Sequence, residues 1–96
     1  MVLFLVFQVR FGTVSGTGSM LPTLDKNDIT VCIVGDYGIG DIVIFRSPYG
    51  GNIIHRIVDE NKDGYTTKGD HNDTVDAYIV TEEMIIGKLL FKFKRF

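Results

Sequence analysis

Short apolar runs that never lengthen into a helical period constrain this chain more than any other feature. The runs Ile29–Val34, Ile42–Phe45, Ile53–Val58 and Ile85–Phe93 are bounded mostly by Gly, Pro, Asn or Asp, the pattern of strands joined by turns. β-Branched residues dominate, and Ala77 is the single alanine of the chain; such a composition suits pleated, half-buried surfaces. Asn61-Lys62-Asp63-Gly64 marks a turn between two strand-like flanks. Thr81-Glu82-Glu83 can cap one helical turn before Gly87, and nothing there sustains a longer helix. A length of 96 residues supplies one core and not two. The expectation is a single domain over residues 1–96, all-β and mainly antiparallel, a small barrel or coiled sheet with at most one short helical turn.

Composition narrows the function classes. Apolar residues at 45% and charged ones at 23% describe a chain that folds rather than a disordered one. The formal charge of −2, with no basic stripe through the middle of the sequence, argues against a nucleic-acid partner. Cys32 is alone, forms no internal disulfide and reads as a small buried hydrophobe. His55, His71 and the neighbouring carboxylates lack HExxH or CxxC spacing, so no metal is expected. Asn72-Asp73-Thr74 matches a glycosylation sequon in letters alone.

The two ends are each open to two readings. Met1–Phe7 is wholly apolar but far short of the roughly 20 residues that span a bilayer, and it lacks the basic start and small-x-small site of a secretory signal. Either Phe7, Val9 and Phe11 alternate with Gln8 and Arg10 as a half-buried strand, or Met1–Phe7 is the remnant of a membrane anchor. At the other end, Leu89–Phe96 mixes aromatics with basic groups. It suits a lipid interface or a terminal strand whose lysines face water.

Three segments carry chemistry. In Thr17-Gly18-Ser19-Met20-Leu21-Pro22-Thr23-Leu24 a serine sits in a turn that Pro22 stiffens, with glycines that permit close backbone approach. A plain surface loop has similar letters, and a phosphate cradle over Gly16-Thr17-Gly18-Ser19 is the weaker reading, since no Gly-Lys-Ser/Thr follows and no helix begins. In Ile53-Ile54-His55-Arg56-Ile57-Val58 two polar residues interrupt an apolar strand. Strict alternation puts His55 on the face of Ile53 and Ile57, opposite Ile54, Arg56 and Val58; a core histidine bonded to a backbone carbonyl is the simpler reading of that segment alone. Lys68-Gly69-Asp70-His71-Asn72-Asp73-Thr74-Val75-Asp76 is a polar loop with three aspartates, equally readable as a solvated turn.

Taken together and in this order, the segments resemble one family, the type I signal peptidases. Gly18-Ser19-Met20-Leu21-Pro22-Thr23-Leu24 is similar to the family's nucleophile box, Gly40-Asp41-Ile42-Val43-Ile44-Phe45 to its core strand box, and Gly69-Asp70-His71-Asn72 to its acidic box. His55-Arg56 stands where the bacterial branch has its lysine base, as in the archaeal and endoplasmic-reticulum branch. Asp76, six residues beyond Asp70, matches that branch's additional aspartate. The likeness runs from about Val14 to Phe93. Thr17 replaces the usual serine and keeps a hydroxyl, His71 replaces the commoner asparagine and brings a second imidazole near the acidic loop, and at most a fragment of the N-terminal anchor is present.

The resemblance implies a sheet of the signal-peptidase and repressor-protease type and a serine endopeptidase without cofactor. A serine hydroxyl needs a neighbouring base at neutral pH, and an imidazole can take that proton and return it to the leaving amine. The expected roles are Ser19 as nucleophile and His55 as base, with Asp76, or otherwise Asp70, orienting the imidazole. The Ser19 N–H and the Thr17 hydroxyl are the expected oxyanion donors. The implied substrates are preproteins cleaved after a small-x-small motif, by a membrane-associated domain on the extracytoplasmic or lumenal face. Two alternatives remain at this level: a repressor-type self-processing protease with Lys68 or Lys26 as base, and a catalytically silent β module that binds peptides.

Overall fold

A computed structural model of the protein describes residues 9–13, 18–26 and 28–94. The expectations for Met1–Phe7 and for Thr17 fall outside the described residues. The chain is mainly antiparallel β. Its strands are β1 (Val9–Thr13), β2 (Asp28–Ile33), β3 (Ile42–Arg46), β4 (Asn52–Asn61), β5 (Gly64–Lys68) and β6 (Ile85–Lys94), with one 3-10 turn at Glu82–Met84. They form one six-stranded sheet in the order β1-β2-β6-β3-β4-β5. β1 and β5 are its two edges, so the described residues make a coiled open sheet and not a closed barrel.

Turn chemistry sets the registers. β3 and β4 are joined through residues 47–51, where Gly50 and Gly51 take positive φ values of 103° and 75° that side-chain-bearing residues rarely adopt. Ser47 N–H donates to Gly51 O across that loop. The resulting ladder sets Val43 opposite His55 and Phe45 opposite Ile53. β4 and β5 are joined through Lys62 and Asp63, with Asn61 opposite Gly64 and the Asp63 N–H bonded to Asn61 Oδ1. The turn expected at Asn61–Gly64 is thus present, with Lys62 and Asp63 at its tip, and Gly64 opens β5. A Cβ there would lie 2.6 Å from Val80 O, and that close approach lets Tyr65 and Val80 exchange backbone bonds.

Alternation along β3 and β4 divides the apolar residues between two faces. Val43, Phe45 and Ile57 pack with Val80 on one face. On the other, Ile42 packs with Met20 and Leu24, backed by Ile54 and Leu89. Burying each such side chain contributes about 1.5–3 kcal/mol, and on the second face this fastens the turn that carries Ser19 to the sheet. Cys32 is buried in β2, as a small hydrophobe would be.

Leu89–Lys94 lies in the terminal strand β6, as the second reading of this end has it, and its lysines also make ion pairs. Lys92 and Lys94 are exposed to water and at the same time reach Asp25 and Asp28: Lys94 Nζ lies 2.8 Å from Asp25 Oδ2 and 3.1 Å from Asp28 Oδ1, and Lys92 Nζ 3.4 Å from Asp28 Oδ2. The reason is the Asp28 carboxylate, 1% exposed, because a buried charge needs a counter-charge. Leu90, Phe91 and Phe93 stay exposed. Among the described residues no helix is long and apolar enough to cross a membrane.

Candidate active site

β5 ends at Lys68, opposite Arg56. Before that point β4 has no further partner on this side among the described residues, so His55 sits where the sheet opens and a neighbouring loop can reach it. The turn that begins at Gly18 fills the opening. Gly18 adopts φ 79°, and the turn is closed by Leu21 N–H to Gly18 O (3.0 Å) and Leu24 N–H to Met20 O (2.9 Å). Met20 and Leu24 point into the core, which leaves Ser19 directed along the sheet edge.

There, Ser19 Oγ lies 2.9 Å from His55 Nε2. On the other side of the ring, His55 Nδ1 lies 2.7 Å from Asp76 Oδ2. The same Asp76 oxygen accepts a hydrogen bond of 2.6 Å from the Thr67 hydroxyl, and the Asp76 N–H donates to Thr67 O. Thr67 is fully buried and His55 is 6% exposed. An ionised carboxylate only accepts, so the proton between His55 and Asp76 belongs to Nδ1. Nε2 is then the ring atom with a lone pair to offer the serine hydroxyl. Phe45 packs near the imidazole, ring centroids 6.4 Å apart in an edge-on arrangement.

Adjacent residues on a strand face opposite ways, and Arg56 turns from the imidazole to a different aspartate. Its Nε and Nη2 donate to Asp70 Oδ1 and Oδ2 at 2.9 and 2.8 Å, and its Nη1 donates to Gly40 O. The Thr23 hydroxyl adds a 2.6 Å bond to Asp70 Oδ2. The Arg56 hydrogen bonds, with Thr23 and against partial burial, hold the Asp70 carboxyl below its ordinary range. Asp70 is thus engaged by Arg56 and Thr23, and Asp76 is the carboxylate on His55.

The acidic loop also holds the serine through its backbone. His71 N–H donates to Ser19 O at 2.7 Å, while the His71 side chain is exposed. Gly69 is in tight contact: a Cβ on it would lie 2.6 Å from Ser19 O and 2.9 Å from Ser19 Cβ. Glycine is needed here for space. The Ser19 N–H donates to no backbone carbonyl among the described residues.

Of the residues singled out in the sequence, Ser19, His55 and Asp76 come together in one hydrogen-bonded line, Asp70 lies one face away, and Lys68 ends β5 with its Nζ against Gly69 O. Thr67 escaped notice, because a threonine in a strand has no letter-level mark of a buried hydroxyl. Thr23 was part of the turn motif but carried no role. No metal-ligating cluster occurs among the described residues. No family model, curated protein or solved structure matches the chain.

Proposed function

We propose that the protein is a serine endopeptidase of the type I signal peptidase kind, with the Ser-His-Asp site of that family's archaeal and endoplasmic-reticulum branch. One observation carries the reading: the unbroken hydrogen-bond line from Ser19 Oγ through both ring nitrogens of His55 to Asp76. It joins residues far apart in the chain, at the positions where the resemblance asks for nucleophile, base and acid.

Chemically, Ser19 Oγ attacks the scissile carbonyl carbon as His55 Nε2 takes its proton. Asp76 stabilises the imidazolium and keeps the ring from turning. The Ser19 N–H donates to the oxyanion, a type of contact worth about 10²–10³ in rate, and the resemblance adds the Thr17 hydroxyl as second donor. The C–N bond breaks as the imidazolium gives its proton to the leaving amine. Water, deprotonated by the same Nε2, then cleaves the Ser19 ester and restores the enzyme.

The substrates follow from the resemblance: preproteins cut after small-x-small at the extracytoplasmic or lumenal face of a membrane. The exposed apolar residues of β6, Leu90, Phe91 and Phe93, support work at a membrane surface. The test is a preprotein with an Ala-x-Ala junction incubated with the wild-type protein and with Ser19→Ala in detergent micelles. Cleavage at that junction by the first and none by the second is the expected result. Cleavage by both, or by neither, rejects the reading.

A further inference from the structure

The turn that carries Ser19 is neither strand nor helix, yet it must hold one hydroxyl in register with an imidazole. Its inner side is fixed by Met20 and Leu24, and its near side by the loop of Gly69–His71. The far side is fixed by the end of β6. Lys92 Nζ donates to Thr23 O and contacts the buried Asp28 carboxylate, while Lys94 Nζ spans Asp25 and Asp28. Asp28 Oδ2 also accepts from the Asp25 N–H at 2.9 Å, which brings Asp25 and Asp28 together on the same pair of cations.

This contact continues into the site. Thr23, held by Lys92 through its carbonyl, gives its hydroxyl to Asp70, which is clamped by Arg56, the neighbour of His55 on β4. A polar strut thus runs from β6 across the turn to the strand that carries the base. We infer that Lys92, with Lys94 as its second point, is a positioning residue: the two ammonium groups seated on Asp28 hold Thr23–Asp25 so that Ser19 Oγ stays within reach of His55. For its kinetic consequence this rests on the peptidase reading above. Neither lysine touches the reacting atoms.

An ion pair that only adds stability would loosen the whole sheet when cut. A positioning contact loosens the turn first. The test uses the full chain with Lys92→Met, Lys94→Met and Lys92→Arg. Amide hydrogen exchange is read at Leu21 and Leu24, whose N–H groups close the turn, and at Ile57, whose N–H bonds Asp41 O in the core; turnover of an Ala-x-Ala peptide is measured alongside.

In Lys92→Met, exchange at Leu21 and Leu24 is expected to rise by about tenfold or more with Ile57 unchanged. The kcat is expected to fall by about 10- to 100-fold, as for a nucleophile displaced by a fraction of an ångström to an ångström, with KM within about twofold. Lys94→Met gives a smaller change of the same kind, and Lys92→Arg restores most of both. Unchanged exchange and kcat in Lys92→Met, or a uniform rise at all three amides, overturns the inference. A wild-type protein without turnover, whose Lys92→Met variant still exchanges faster at Leu21 and Leu24, supports the anchoring and removes the peptidase reading instead.

Discussion

Thr67 and His55 meet at the same oxygen: the threonine hydroxyl and the imidazole Nδ1 lie 2.6 and 2.7 Å from Asp76 Oδ2. The arrangement fixes the carboxylate as well as the ring. Thr67→Val removes the hydroxyl and keeps the shape. It is expected to cost about 1 kcal/mol of stability and to lower kcat by about tenfold at unchanged KM, measured by thermal unfolding and steady-state turnover.

Asp76 and Asp70 are expected to separate kinetics from stability. Asp76→Asn offers His55 an amide that can donate, which favours the wrong tautomer; a loss of about 10⁴ in kcat is the precedent from a serine triad on another fold. Asp70→Asn instead breaks the paired contact with the half-buried Arg56 and is expected to destabilise by about 1–2 kcal/mol, solvent screening at Arg56 keeping the cost below that of a buried pair, with a smaller kinetic loss. Denaturant unfolding and turnover of both variants check this; equal or reversed kinetic losses contradict the assignment of Asp76.

Gly69→Ala places a methyl group against Ser19 O and Cβ. Overpacking of this kind costs about 1–3 kcal/mol, and here the strain falls on the nucleophile. A loss of about 100-fold in kcat is expected from the displacement of Ser19. The reading is checked against Gly38→Ala, where a Cβ meets open space and turnover is expected to stay near wild type.

Acid stability follows from Asp70 and Asp28. Arg56 lowers the Asp70 carboxyl first, and the Asp25 N–H lowers Asp28 first, with Lys94 and Lys92 adding to it against burial. Each carboxyl therefore binds its proton less readily in the folded chain than in the unfolded one. Between the folded and unfolded values the unfolded state carries more protons, so stability rises with pH there. Their contribution is complete above the ordinary carboxylate range, near about 3.9 for an unfolded aspartate, and is lost as pH falls through the lower folded values. The stability gap between wild type and Asp70→Asn, read from unfolding midpoints, is expected to narrow as pH drops through that window.

Much of the fold was legible because the strands announce themselves. The runs at Ile29, Ile42, Ile53 and Ile85 open near the observed strands, and Thr81-Glu82-Glu83 matches the observed 3-10 turn to within a residue. The strand order of the sheet was not legible, since pairing of β6 with β2 and β3 joins segments distant in the chain. Ser19, His55 and Asp76 stood out through motif order, and alternation alone set His55 and Arg56 on opposite faces. What no letter pattern carried was the pairing of Lys92 and Lys94: they are exposed, as lysines of a terminal strand read, but their partner, the buried Asp28 carboxylate, lies far off in the chain.

The most direct measurement is the capture of a covalent intermediate. Acid quenching of a single turnover on an Ala-x-Ala peptide ester, followed by peptide mapping of the protein by mass, is predicted to find the acyl group on Ser19 and on no other residue, and to find none in Ser19→Ala. An acyl group elsewhere, or hydrolysis that continues in Ser19→Ala, contradicts the account.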